Sequence, residues 1–275
     1  MKILVTGANG FIGKNLAKAL EFEHEVFKLT KDIIDLTNRE EVDNFFKDHY
    51  FDLVLHCASV GGKRNIKDGP EVFHKNLAMF YNLRRNQLKY DKMVTFGSGA
   101  ELDRCDDIDK NSYVSDVYPL DYYGMAKNII LRLTENENKC FSIRLFNVFG
   151  YNEEDARFIK SNIQKYINKK PIVINQNRLM DFFYVEDFIM LVKFYLDKSY
   201  IPKEINAVYY KKYSLLDIAN VINSLSNYKV DIILEKEEFD KLYVGSSTRL
   251  DLLKLPFKGL EQGIKEIYNT LKCVL

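Results

Sequence analysis

Short apolar, β-branched-rich runs alternate along this chain with longer stretches in which apolar positions return every three or four residues. Ile3-Leu4-Val5, Glu25 to Thr30, Phe51 to Ala58, Met93 to Phe96 and Phe141 to Phe146 read as strands. Between them, a stretch after Gly13 with Leu16, Ala17 and Leu20 on one side reads as a helix, as do Arg39 to Asp48, Glu71 to Tyr90 and Tyr123 to Asn136. Strands alternating with helices predict an α/β fold with a parallel, doubly wound sheet. No internal repeat or low-complexity linker interrupts the pattern.

The first strand stops at Gly7, and Gly7, Gly10 and Gly13 then stand three residues apart before the helix. That spacing lets backbone amides crowd a pyrophosphate at a helix N-terminus, where unpaired N–H groups and the helix dipole favour anions. A dinucleotide is the expected guest. A P-loop is excluded, because Gly7 is one residue too far from Gly13-Lys14 and Asn15 replaces the hydroxyl that would hold magnesium. A glycine turn without a ligand is the competing reading, since the spacing also differs from Gly-x-Gly-x-x-Gly.

Composition narrows the partners. The 275 residues make one large domain or two small ones, and 40 basic against 39 acidic residues give a net charge of +1 with no dense basic face. Nucleic acid is not an expected partner. Cys57, Cys105, Cys140 and Cys273 are far apart and make no ligand spacing with the histidines, so neither a metal site nor a disulfide framework is expected, and a reducing, cytoplasmic compartment fits. No apolar run approaches the ~18 residues of a membrane span. The chain opens as a strand rather than a charged leader, and Cys273-Val-Leu275 falls one residue short of a prenylation box. The acidic runs Asp103 to Asp109 and Glu235 to Glu238 read as solvated.

Enzymes of this architecture that bind NAD usually end the second strand on an acid, which takes the free ribose 2′-OH. Here Lys28, Thr30 and Lys31 stand there, which favours NADP(H) and leaves NAD(H) open. Asp35-Leu36 would accept the adenine amino group.

Tyr123-Gly-Met-Ala-Lys127 puts a phenol and an ammonium one helical turn apart. A lysine so placed stabilises a phenolate and brings a poor acid-base catalyst toward its working range. Tyr166-Ile-Asn-Lys-Lys170 repeats the spacing, so the spacing alone decides nothing. Only Tyr123 follows a serine, Ser98, at the carboxyl end of an expected strand, where ligands sit in open α/β sheets. The serine hydroxyl would hold a substrate oxygen while the tyrosine moves its proton.

Together, Gly7-x-x-Gly10-x-x-Gly13, Ser98, Tyr123-x-x-x-Lys127 and Arg144-Leu-Phe-Asn-Val-Phe-Gly150 resemble the extended short-chain dehydrogenase/reductase family of nucleotide-sugar epimerases, dehydratases and reductases. Asn76, the Asp181-Phe-Phe-Tyr-Val-Glu-Asp187 segment, Thr248 to Asp251 and Leu260 to Gly263 extend the similarity nearly end to end, and His56 to Gly62 looks closest to the GDP-L-fucose synthase-like branch. The resemblance implies a Rossmann-type dinucleotide domain (residues 1–148 and 178–212) and a smaller discontinuous α/β substrate domain (149–177 and 213–275). It implies hydride transfer at C4 of a nucleotide-linked sugar, with Ser98, Tyr123 and Lys127 catalytic. Cofactor contacts are expected at Gly7, Asn9, Gly10, Phe11, Ile12, Gly13, Lys31, Asp35, Leu36, Ala58, Asn76 and Lys127. Substrate contacts are expected at Ser98, Gly99, Asn147, Arg157, Lys165 and Arg249, and a homodimer through a two-helix face is common in the family.

Departures narrow the chemistry. The fucose synthases use a cysteine and a histidine for epimerisation beside the ketone, and those positions carry Ala100 and Arg157 here. Neither shuttles a proton from a sugar carbon near neutral pH. The Asp-Glu pair of the 4,6-dehydratases is Gly99-Ala100, with Glu101 one residue late. The arginine that touches the diphosphate in the family is Met180, with Arg178 two residues off. A reductase of a 4-keto sugar linked to GDP or dTDP is therefore expected, with an NAD-dependent C4 epimerase and a noncatalytic dinucleotide sensor as alternatives.

Overall fold

A computed structural model describes residues 1–63, 66–104, 108–109, 117–197 and 201–274. Cys105 and the middle of the 103–109 acidic run lie outside the described residues. The first strands and helices are β1 (Lys2–Thr6), α1 (Phe11–Leu20), β2 (Glu25–Leu29), α2 (Arg39–Asp48), β3 (Phe51–His56), α3 (Pro70–Arg84), β4 (Tyr90–Ser98), α4 (Tyr122–Glu135) and β5 (Cys140–Leu145). Then come β6 (Val148–Phe149), α5 (Phe158–Ile167), β7 (Ile172–Gln176), β8 (Phe183–Tyr184), α6 (Val185–Asp197), β9 (Glu204–Ala207), α7 (Leu215–Asn223), β10 (Ile232–Lys236), α8 (Thr248–Asp251) and α9 (Leu260–Val274).

Six strands form one Rossmann-like sheet in the order β2-β1-β3-β4-β5-β9. β1 runs parallel to β2 and β3, and β3 to β4, so their carboxyl ends share one edge. The chain leaves β1 toward β2 and returns on the other side as β3, which makes the gap between β1 and β3 the switch point where ligands sit in such sheets. Ile3, Leu4 and Val5 are all fully buried, although successive side chains point to opposite faces, because helices cover both. One face packs Leu4, Phe46, Val54, Phe80, Leu83, Tyr90 and Met93 into a single cluster.

Helix α3 ends earlier than its apolar periodicity suggests. After Arg84 the chain tightens into a 3₁₀ turn (Gln87–Lys89), and Tyr90, read as the last helical residue, opens β4 with its ring buried. Asn86 Nδ2 donates to the Asn82 carbonyl at 2.9 Å and to Asp43 Oδ1 at 2.9 Å, closing the helix from within.

The chain folds into two compact units: Met1–Cys105, Ser112–Arg144 and Lys193–Ile205 make up the first, and Asp106–Asn111, Leu145–Val192 and Asn206–Leu275 the second. The second is built on two short parallel pairs, β6 with β8 and β7 with β10, against which α5, α7 and α9 pack. Its fixed points are two buried acids. Asp187 accepts from Lys258 N at 2.8 Å, Gly259 N at 2.9 Å and the Tyr209 hydroxyl, and Asp181 takes both a bidentate Lys212 at 2.8 Å and Gly245 N at 2.7 Å. No helix among the described residues is long and apolar enough to cross a membrane.

Candidate active site

All the groups expected to hold the cofactor or do chemistry lie in the first unit: the glycine turn, Ala58 and Ser98 follow β1, β3 and β4, Lys31, Asp35 and Leu36 follow β2, and Asn76 and the Tyr123–Lys127 pair are on α3 and α4. The turn after β1 closes on itself. Gly7 has φ +61, Gly10 N donates to Gly7 O at 2.9 Å, and a Cβ on Gly13 would lie 2.4 Å from that same oxygen. On the other side a Cβ on Gly7 would meet the Ala58 backbone at 2.7 Å, so both glycines are required by close approach. Gly10 caps α1 with no side-chain hydrogen bond, which leaves the first amides, those of Phe11, Ile12 and Gly13, to an outside acceptor. Asn9 and Gly10 are exposed at this point. Such a cradle fits the pyrophosphate of a dinucleotide.

The floor of the switch point is pinned by Thr6, whose hydroxyl lies 3.0 Å from His56 Nδ1 and accepts from Ala58 N at 3.1 Å. Burial drives His56 down to about 3, so it remains a neutral structural ring. Asn76 differs from the expectation of direct cofactor contact. Its Nδ2 donates to Val60 O (2.9 Å) and Val72 O (2.8 Å), and its Oδ1 accepts from Ser59 Oγ (3.0 Å) and Val60 N (3.1 Å). A carboxamide so used shapes the 58–60 loop and has no valence left to offer.

Beyond β2, Lys28 pairs with Glu21, while Lys31 keeps 81% of its side chain exposed, 4.0 Å from Asp35. The Asp35 carboxylate accepts from Thr37 N at 2.9 Å and Thr37 Oγ1 at 2.7 Å, bonds that hold it below the ordinary carboxylate range. Leu36 is buried and gives its carbonyl to Asn82.

Ser98 ends β4 and caps a 3₁₀ turn, Gly99–Leu102, in which Gly99 and Ala100 are buried. Asp121 caps α4 through Gly124 N at 2.9 Å and so sets the helix that carries Tyr123 and Lys127. The hydroxyls of Ser98 and Ser59 stand by the Tyr123 hydroxyl and act to lower its pKa. Lys127 Nζ donates to Phe96 O at 2.9 Å and stands 5.7 Å from the Tyr123 ring centroid. Burial depresses this ammonium to about 8. The phenol stays above its usual value, because burial and the nearby Glu101 outweigh the Ser98 and Ser59 hydroxyls and the Arg104 charge. The spacing predicts that the Lys127 charge moves the Tyr123 phenol toward its working range; in this structure the phenol lies above its usual value.

Two features were missed in the sequence. Glu101 is 1% exposed, accepts from Ser98 N at 2.9 Å and from Arg144 Nε at 2.7 Å, and Arg144 Nη2 reaches Glu204 at 3.0 Å. This buried ion network fixes the backbone of Ser98 and occupies both Glu101 oxygens. The second is Arg104, which bridges Asp121, Asp68 and the Gly62 carbonyl. Only the Gly61-Gly62 pair marks either place in the sequence, as a turn.

The residues expected to bind substrate divide differently. Gly99 and Ser98 are with the groups above, whereas Asn147, Arg157, Lys165 and Arg249 belong to the second unit. There Asn147 Nδ2 donates to Asp181 O at 2.9 Å. Arg157 caps α5 with its Nε 3.9 Å from Glu153, Lys165 is half-buried in the last turn of that helix, and Arg249 is exposed on α8. Met180 is buried, and Arg178 donates to Asp240 at 2.7 Å. Among the described residues no His, Cys, Asp or Glu cluster has the geometry to hold a metal ion.

A glycine cradle at the switch point and a Ser-Tyr-Lys set beside it define a dinucleotide-type site on a Rossmann-like sheet. Residues 3–207 match the NAD dependent epimerase/dehydratase family, and the chain belongs to that family. It is 28% identical over 245 residues to the GDP-6-deoxy-D-talose 4-dehydrogenase of Aggregatibacter actinomycetemcomitans, covering 84% of this chain and 82% of that one. Among solved structures it is similar to a GDP-D-glycero-L-gluco-heptose synthase from Campylobacter jejuni determined in the presence of NADPH (TM-score 0.84, 17% identity, 99% and 98% of the two chains). It is also similar to the UDP-glucose 4-epimerase of Thermotoga maritima (TM-score 0.83, 17% identity, 100% and 99%). A synthase and an epimerase share the fold, so the reaction has to be argued from the site.

Proposed function

We propose that the protein is an NADP(H)-dependent reductase of the C4 keto group of a nucleotide-activated deoxy or modified sugar, carried on GDP or dTDP. The first unit takes the dinucleotide and the second takes the sugar nucleotide. The observation that carries the reading is the Ser98–Tyr123–Lys127 arrangement beside a buried Ala100, with Glu101 locked in an ion pair with Arg144 and both Asp68 and Asp121 paired with Arg104. It offers a proton to a carbonyl oxygen but no base for a sugar carbon. The relative named as a GDP-sugar 4-dehydrogenase and the neighbour determined with NADPH support the same reading.

The Gly7–Gly13 cradle would hold the pyrophosphate of the dinucleotide, and Lys31 would supply a cation for its 2′-phosphate. When bound, the nicotinamide supplies the hydride that reduces C4. Ser98 Oγ hydrogen-bonds the carbonyl oxygen, and Tyr123 delivers its proton as negative charge develops there. The phenol is protonated in the free protein, and the charges of Lys127 and Arg104 beside it ease the loss of its proton to the developing alkoxide. Lys127 receives the resulting phenolate with its charge. Arg157, Lys165 and Arg249 are the cations proposed for the diphosphate.

The test is incubation of the purified protein with NADPH or NADH and GDP- or dTDP-linked 4-keto-6-deoxyhexoses, with NMR of the product. One equivalent of NADPH oxidised per C4 alcohol formed, with NADPH preferred, is expected. Protein isolated with tightly held NAD, interconverting C4 epimers without net cofactor oxidation, would show an epimerase instead.

A further inference from the structure

Tyr123 is gripped from a side that its own helix does not provide. Gly61 and Gly62 both adopt positive φ, +79 and +77, and the Gly62 backbone lies so close to the phenol ring that a Cβ there would fall 2.9 Å from Tyr123 Cζ. That turn is held by Asp68, whose two carboxylate oxygens accept from Gly62 N at 3.2 and 3.0 Å. Arg104 joins the turn to the helix. Its Nε and Nη2 form a fork on Asp121 at 3.1 and 2.9 Å, Nη2 also reaches Asp68 at 3.4 Å, and Nη1 donates to the Gly62 carbonyl at 3.4 Å. Asp121 is the cap of α4, so one planar guanidinium ties together the two segments between which the ring lies. The guanidinium carbon sits 5.7 Å from the ring centroid, within reach of a cation–π contact.

We propose that Arg104 is a positioning residue of the Tyr123 centre: held by Asp68, Asp121 and the Gly62 carbonyl, it fixes the plane of the phenol and keeps a positive charge beside it. The proposal rests on Tyr123 being the proton donor. The charges around the phenol come from four directions: Glu101 from the turn after β4, Lys127 from the next turn of α4, Arg104, and the carboxylates of Asp68 and Asp121 that Arg104 partly neutralises. Lys127 donates to the Phe96 carbonyl and stands 5.7 Å from the ring centroid, and Arg104, at the same 5.7 Å, adds a second cation opposing Glu101. Lysine could supply the charge but not the fork, and glutamine could supply hydrogen bonds but not the charge.

The two substitutions therefore separate the roles. Reduction needs the protonated phenol, so beyond the fall that Lys127 sets near pH 8 turnover falls again as pH rises through the phenol's own titration, and removing a cation moves that upper limb to higher pH. Arg104→Gln is expected to raise the upper limb of kcat by about half to one pH unit, a Coulomb effect reduced by the two carboxylates. Arg104→Lys is expected to keep the limb near its original place while kcat falls, because the ring is no longer held. Asp68→Asn removes a negative charge and is expected to lower the limb, which keeps the proposal testable if Arg104→Gln does not fold. Ultraviolet difference titration of the tyrosinate band, taken against Tyr123→Phe, should follow the same order. A limb unmoved in folded Arg104→Gln, or in Asp68→Asn, overturns the proposal. An upper limb that survives in Tyr123→Phe at full turnover would show instead that Tyr123 is not the donor.

Discussion

The chain carries Tyr-x-x-x-Lys twice, and the two copies have opposite surroundings. On α4, Tyr123 is half-buried beside Ser98 and Ser59, and Lys127 is buried one turn on. On α5, Tyr166 is fully buried, stacks on Tyr228 with centroids 4.6 Å apart, and bonds to Ser226 Oγ at 2.9 Å and Tyr228 O at 3.0 Å. Its lysine is not on the helix at all. α5 ends at Ile167, Lys169 turns left-handed at φ +54, and Lys170 is exposed beyond it. Spacing makes a phenol and an ammonium neighbours only while the helix lasts, and a phenol is available for proton transfer only where the core has not consumed it.

The comparison can be broken most sharply at Tyr123. General acid catalysis contributes about 10² to 10⁴ in rate, so Tyr123→Phe should lower turnover on that order in steady-state assays, with NADPH affinity little changed. Lys127→Met should reduce turnover and weaken NADPH binding together by about 10- to 100-fold, the range of a charge-assisted hydrogen bond. The free protein should also bind NADPH less tightly as pH rises through about 8, because the depressed ammonium is the binding form and is lost above that point. Fluorescence titration across that range would show it, and a flat profile would remove Lys127 from the cofactor. Tyr166→Phe should leave rates unchanged but cost about 1 to 3 kcal/mol of stability in urea, since Ser226 N, 3.1 Å from the phenol oxygen, loses its acceptor.

What could be read in advance follows the same division. β1 and the Gly7–Gly13 turn were legible because a twice-buried strand is continuously apolar and a tight turn needs glycine at set positions. The bounds of α2, Arg39 to Asp48, were legible in the sequence, and in the structure Asn38 caps that helix through Glu40 N and Glu41 N. The end of α3 was hidden because Leu88 and Tyr90 continue the helical period in sequence, while in the fold Leu88 is exposed and Tyr90 has entered a strand. Glu101 looked like a displaced catalytic acid, since nothing local announces an ion pair with Arg144, 43 residues away. Arg104 and its partners Asp68 and Asp121 likewise meet only once β3, β4 and α4 are assembled. Local chemistry was readable, and long-range pairing of charges was not.

The most direct test of Tyr123 as donor to the C4 oxygen is single-turnover stopped-flow hydride transfer, comparing wild type, Tyr123→Phe and Tyr166→Phe on preformed NADPH complexes with a 4-keto sugar nucleotide. The account predicts a burst of NADPH oxidation that slows by about 10² to 10⁴ in Tyr123→Phe and is unchanged in Tyr166→Phe. An undiminished burst in Tyr123→Phe, or a larger loss in Tyr166→Phe, would contradict it.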